Sequence, residues 1–309
     1  MTTTLLSTAL RCGSTFLINT LKHHEYSKHL YIDYDVLHPG HLTRVVNELN
    51  NQFDSCNINI DIKFLYDLRF TNEKDYFEQV ISYYKLIANT KNITNICFRI
   101  TPNNLNTPKA HNPAKEQVDS INKHVTYKDI IDNVDNVLFL DRNNCEMLYS
   151  LAQVFTNSKW GTPFRFEKDT NLIISEQLCK QIINVTKNKQ LFFDALQQEL
   201  KLQNKIFLHI NYNDFYDNDF WKVLSNFFKF DILPPSNFTK VTYDYVDFFN
   251  KNLKLLEDYA QPYLADAGKN GIKIKLCSNP TSRSFTFEES RRFLDPLSYN
   301  RHFNFIPLC

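Results

Sequence analysis

The stretch that most constrains the fold is Leu5–Leu21, LLSTALRCGSTFLINTL. A short apolar, β-prone run from Thr3 to Ala9 meets a turn of small residues, Arg11-Cys12-Gly13-Ser14-Thr15. A helical pattern then begins at Phe16, with Leu17, Thr20 and Leu21 on one face. A strand, a tight turn and a helix start together aim unpaired backbone N–H groups at whatever sits in the turn, and the helix dipole adds positive potential. Gly13 admits backbone angles closed to other residues. Ser14 and Thr15 add hydroxyl donors, and Arg11 adds a permanent charge with a fork of N–H groups. The plainer alternative is an ordinary strand-to-helix turn with a Ser/Thr cap. The G-x-x-x-x-G-K-[ST] pattern is not met, because the turn has one glycine and no lysine before Ser14-Thr15, which disfavours a nucleoside triphosphatase.

Beyond that turn, strand-like and helix-like segments alternate. Leu30–Pro39 alternates apolar and acidic residues, Leu42–Phe53 reads as a helix, and the mixed segment Ile58–Leu68 reads as a strand or an irregular crossover. Tyr76–Ala88 is an amphipathic helix, and Asn95–Ile100 (NICFRI) is a buried strand carrying one arginine, Arg99. Asn136–Leu140 (NVLFL) is the clearest strand, followed by a helix over Cys145–Phe155. Leu172–Leu202 reads as one long or two medium helices, Lys205–Ile210 as a strand, and Phe220–Phe228 and Tyr243–Tyr259 as helices. Gly268–Leu276 suggests a turn and a further strand. The expected class is α/β, a parallel sheet with helices on both faces. With no repeat and no linker, 1–309 reads as a single domain. It carries a polar, proline-bearing lid or substrate loop at 101–128 and a basic segment at 268–309 that holds Arg283, Arg291 and Arg292.

Several classes are disfavoured by composition. A formal net charge of +1 gives no general attraction to nucleic acid or anionic membrane. The seven cysteines are odd in number and none stands at CxxC spacing, so free thiols in a reducing compartment are expected, with no zinc site. Leu5–Leu10 is too short for a signal core or a membrane span, and the chain reads as cytoplasmic. A homodimer is left open.

Two segments carry a resemblance. Arg11-Cys12-Gly13-Ser14-Thr15-Phe16 is similar to the 5′-phosphosulfate loop of sulfotransferases that use 3′-phosphoadenosine 5′-phosphosulfate (PAPS), with Cys12 at a position where serine is commoner. Val137–Trp160 resembles their 3′-phosphate segment: a strand, then Arg142, then Ser150 eight residues on within the next helix. The run through Ser158-Lys159-Trp160 is most like the bacterial branch that includes trehalose 2-sulfotransferase. The alternative for Arg142 is a surface arginine, and for Ser150 a helix residue facing solvent.

The resemblance implies a P-loop-like sulfotransferase fold and PAPS as donor, with no metal. It implies transfer to a hydroxyl of a small acceptor, a carbohydrate or glycolipid head group. Arg11 then takes the charge-stabilising role, and Arg11, Cys12, Gly13, Ser14, Thr15, Phe16, Arg142 and Ser150 bind the nucleotide. Aligned on the branch's glutamate, Asp33 becomes the base, with Asp35, His29 and His38 as rivals. Asp35, Arg99 and Trp160 are further substrate candidates, and Tyr34 could stack on the acceptor. Asn211–Phe215 faintly resembles a later family segment and reads as structural, and the adjacent His23-His24 pair reads as solvent-facing. Two rivals remain: a catalytically inactive nucleotide-binding module on the same fold, and a phosphotransferase, which the missing lysine disfavours.

Overall fold

The computed structural model describes residues 1–38, 41–56, 61–102, 125–142, 144–157, 172–235, 246–252, 254–256 and 258–259. Most of the expected 101–128 loop, Ser158–Trp160, and the segment 268–309 with its strand and arginines lie outside the described residues.

Five strands form one sheet: β1 (Thr2–Thr8), β2 (Leu30–Asp35), β3 (Asn95–Ile100), β4 (Asn136–Asp141) and β5 (Ile206–Asn211), in the order β2-β3-β1-β4-β5. The non-sequential order requires crossovers, and helices supply them: α1 (Ser14–Leu21), α2 (Leu42–Asp54), α3 (Ile62–Thr71), α4 (Glu73–Thr90), α5 (Tyr127–Asp132), α6 (Asn144–Asn157) and α7 (Glu176–Leu202), while α8 (Asn218–Phe228) and α9 (Val246–Lys251) follow β5. This is an α/β fold, a parallel sheet packed between helices on both faces. The chain divides into two compact units. The first comprises Met1–Ala9, Ser14–Phe139 and Asn188–Leu208, and the second Leu10–Gly13, Leu140–Lys187 and His209–Cys309.

In the first unit β3 runs parallel to both β1 and β2. Period-two alternation sorts its side chains. Ile96, Phe98 and Ile100 join Leu5, Phe77, Val80, Tyr84 and Phe192 in one apolar core, while Arg99 reaches Ser14 at the start of α1. At about 25 cal/mol per Å² of apolar surface removed from water, that core is the main source of the unit's stability. The register breaks once: Asp33 pairs with Phe98 and Asp35 with Arg99, which leaves Tyr34 as the extra residue of a β-bulge.

The mixed segment read over Ile58–Leu68 is no strand where it is described; α3 begins at Ile62. The Asp61 carboxylate caps it by accepting the Phe64 N–H at 2.9 Å, and Asn72 then caps α4 by accepting from Asp75 N at 3.2 Å. Phe64 and Phe70 are exposed, so apolar residues wrap around α3 and blur its helical period. The segment Leu172–Leu202 resolves into one helix, α7. In the second unit, Tyr149 of α6 packs edge-on to Phe248 of α9 with ring centroids 5.2 Å apart. Asn252 ties the same region together through Ile174 N and Leu172 O, both at 2.9 Å. Among the described residues no helix is long and apolar enough to cross a membrane, and Cys12, Cys56, Cys97 and Cys179 are free thiols.

Candidate functional site

In the second unit the turn after β1 has an unusual backbone. Arg11 sits at φ 66° and Gly13 at φ 91°, with Cys12 of ordinary hand between them. Alternating hand over successive residues turns neighbouring N–H groups toward one point, the geometry of an anion-binding nest. A non-glycine residue in the left-handed region costs on the order of 1–2 kcal/mol. Gly13 is required for a second reason. A Cβ built there would lie 2.3 Å from Cδ2 of Tyr212, so the aromatic ring occupies the space any side chain would need. Tyr212 opens a 3-10 helix, Tyr212–Tyr216, whose capping box joins Asn211 and Asp214, which agrees with a structural part for Asn211–Phe215.

The two segments that carry the resemblance meet at this turn. Arg11 Nε donates to Ser150 Oγ at 3.0 Å, and Arg142 Nη1 donates to the Arg11 carbonyl at 3.0 Å. Arg142 also donates from Nε to Glu146 at 3.1 Å, and its guanidinium lies over the Tyr212 ring, 4.3 Å from the centroid. Arg142 and Ser150 are both buried, so neither is the surface residue of the alternative reading. Helical spacing explains Ser150: it lies four residues past Glu146 in α6, so the two share one face of the helix. Cys12 is buried and packs its sulfur 3.8 Å from Met147 Sδ. Beside these groups His209 is buried near Asp141. Loss of hydration pushes its imidazole down to about 4, with the carboxylate opposing.

The first unit holds the residues that follow in the chain. Ser14 opens α1 and is buried, whereas Thr15 is exposed and Phe16 half-buried. Ser14 Oγ accepts from Arg99 Nη1 at 3.0 Å. The rest of that guanidinium grips Asp35 by two bonds, Nε to Oδ1 at 3.0 Å and Nη2 to Oδ2 at 2.8 Å. Buried arginine needs such a partner, and the two-pronged form is the strongest available.

Asp33 goes elsewhere. It is 1% exposed, and its Oδ2 accepts from the Tyr84 hydroxyl at 2.6 Å, in the apolar core beneath α4. Strict alternation would place Asp33 and Asp35 on one face. The bulge at Tyr34 sends them to opposite faces, and both are buried. Of the rival bases, His29 precedes β2 at the far end of a six-residue strand, about 20 Å from the edge that carries Ser14. His38 follows β2, and its ring lies 4.4 Å from that of His41, a residue the sequence reading did not single out. His41 stands at the start of α2; its place just ahead of that helix's apolar pattern was the available signal. Trp160 and the Tyr34 side chain lie outside what the structure describes. Among the described residues, one group could gather metal-ligating atoms: His23, His24 and Glu25, all exposed in the 3-10 turn after α1. No protein-family model matches this chain, and no curated protein matches it.

Proposed function

We propose that this chain binds PAPS and transfers its sulfuryl group to a hydroxyl of a small acceptor, of carbohydrate or glycolipid head-group type. The observation that carries the reading is the meeting of two distant segments in the second unit: Arg11 on Ser150, and Arg142 on the Arg11 carbonyl. These groups fit an anionic nucleotide. A fork of charged N–H groups and a hydroxyl suit a phosphate monoester, and the alternating-hand turn suits a second anion. Arg142 and Ser150 hold the 3′-phosphate, while Arg11, Cys12, Gly13, Ser14, Thr15 and Phe16 form the loop for the phosphosulfate. In the transfer, negative charge grows on the oxygen bridging sulfur and phosphorus. Fixed donors there lower the barrier because they need no reorganisation. Arg11 stabilises that charge and gives up no proton, since guanidinium stays protonated.

A second reading, an inactive nucleotide-binding module, is favoured by one observation: both candidate carboxylate bases are already engaged, Asp33 by Tyr84 and Asp35 by Arg99. Adenosine 3′,5′-bisphosphate should raise the melting temperature of the wild-type protein, and Arg142→Ala should weaken that nucleotide at least tenfold, the loss of a charge-assisted contact. Absence of any shift would count against enzyme and module alike. Consumption of PAPS in the presence of a panel of hydroxyl acceptors, read by sulfated product, separates the two.

A further inference from the structure

We propose that the turn between α1 and β2 binds a divalent transition-metal ion of the zinc class through His23, His24 and Glu25, a site that does not depend on the sulfuryl transfer proposed above. All three residues lie in the first unit. One ligand atom from each lies within 4.8 Å of the other two. The His23 and His24 rings stand 4.4 Å apart between centroids, and His23 Nδ1 is 3.6 Å from Glu25 Oε2. That last separation is long for a hydrogen bond. It is close to the ~3.4 Å between two ligands of a tetrahedral ion whose bonds are about 2.1 Å.

The backbone brings these three neighbours together. Along a regular helix, side chains one or two positions apart do not face each other. Here α1 ends at Leu21, and His23 is extended, at φ −56° and ψ 139°, before the 3-10 helix His24–Tyr26 begins. That break lets His23 meet the first turn of the helix it precedes. The turn is held from both sides: His23 N donates to Thr20 O at 3.2 Å, Tyr26 N to His23 O at 2.9 Å and His29 N to Tyr26 O at 2.8 Å. Ser27 Oγ donates to His24 O at 2.7 Å. Tyr26 is buried and anchors the turn, with its ring 6.0 Å from that of His23. On a frame fixed in this way, gathering the ligands costs only the rotamer freedom of three exposed side chains.

The donor set selects the ion. Two imidazoles and one carboxylate suit zinc and its first-row neighbours, whereas magnesium and calcium take oxygen ligands. Three protein ligands leave the fourth tetrahedral position to water. The other close imidazole pair, His38 and His41, has the same 4.4 Å ring separation but lacks the rest of the set. Asp35, the acid that precedes it, gives both oxygens to Arg99, and His41 Nδ1 is buried. His23 and Glu25 are each more than half exposed, so an ion reaches them directly from solvent. An ion held by the folded turn adds its binding free energy to folding and raises the melting temperature.

The test titrates Zn²⁺ into the full chain at neutral pH, read by calorimetry and by thermal melts. His23→Ala and His24→Ala should each weaken zinc at least about tenfold, and Glu25→Gln should weaken it less, in the same direction. All three side chains are exposed, so the metal-free variants should melt with the wild type. His38→Ala should bind zinc as the wild type does. Co²⁺ in place of zinc should give the visible absorption of a four-coordinate ion, and His24→Ala should lose it. Mg²⁺ should produce no comparable heat. Wild-type zinc affinity in both histidine variants, an equal loss in His38→Ala, or no zinc binding by the wild type overturns the site. None of these measurements uses a nucleotide, so failure of the metal site and failure of the transferase are read separately.

Discussion

Two arginines stand at the ends of strands in this protein, and they are held in different ways. Arg99, in the first unit, gives three of its nitrogens to Asp35 and Ser14, so its charge is neutralised by a buried carboxylate on the neighbouring strand. Arg142, in the second, meets a carbonyl, the face of a tyrosine and, through one nitrogen, the Glu146 carboxylate in the first turn of α6. The first arrangement binds two strands of the sheet to each other. The second sets a cation against the carbonyl of a turn of alternating hand. In general, a buried charge matched by a two-pronged counter-charge belongs to the fold, whereas one divided among a carbonyl, a π face and a carboxylate contact draws on several different partners.

The largest effect should come from breaking the first arrangement. Asp35→Ala takes the two-pronged carboxylate from the mostly covered Arg99 guanidinium, a loss approaching the roughly 3–5 kcal/mol of a fully buried pair. Urea denaturation should show the midpoint falling at unchanged slope. The double variant Asp35→Ala with Arg99→Met should recover much of the loss, because an apolar replacement of both partners removes the desolvation cost as well as the attraction. If the single variant loses less than 1 kcal/mol, the contrast between the two arginines fails.

The next effect probes the second unit, where loss of hydration disfavours the charged forms of His209 and Asp214. His209 is depressed to about 4 by burial, whereas the unfolded imidazole titrates near 6.5. Its contribution is therefore fully present above pH 6.5 and is lost as pH falls through 4, a total of about 3 kcal/mol. Asp214 acts in the opposite sense. Burial raises its carboxyl to about 6, so its contribution is present at low pH and is lost as pH rises through 6. The two oppose each other between pH 4 and 6. Relative to the wild type, His209→Gln should thus gain about 3 kcal/mol of stability between pH 7 and pH 4. Chemical denaturation at the two pH values reads this directly, and parallel curves would show that His209 is not held neutral.

How far these regions were legible in the sequence depends on what sets them. β3 was readable because NICFRI is an apolar run long enough for a strand and too short for a helix. α6 was readable from its apolar pattern, and Arg142 and Ser150 stood out through the family resemblance. Burial of both was not, since it depends on Tyr212 and Arg11, far away in the chain. The bulge at Tyr34 left no trace: Asp33-Tyr34-Asp35 alternates as a regular strand would, so the sequence predicts one shared face. α3 was hidden by its exposed aromatics, although Asp61 and Asn72, both side-chain caps, marked its two ends. Arg11 in the left-handed region was unreadable in principle, because nothing but tertiary contact forces a non-glycine residue there.

The smallest effect is also the most discriminating for the second arrangement. Ser150→Ala removes the hydroxyl that accepts from Arg11 Nε and leaves the helix backbone, if anything, more favourable. Arg11 is only half-buried, so water can take over its lost acceptor and folding stability should change by less than about 1 kcal/mol. Affinity for adenosine 3′,5′-bisphosphate should nevertheless fall about tenfold, because a phosphate bound there loses a donor that water cannot replace at a fixed position. Titration calorimetry beside thermal melts separates the two quantities. A Ser150→Ala protein that melts lower and binds the nucleotide normally would make the Arg11–Ser150 contact a strut like Asp35–Arg99, and the difference between the two regions would disappear.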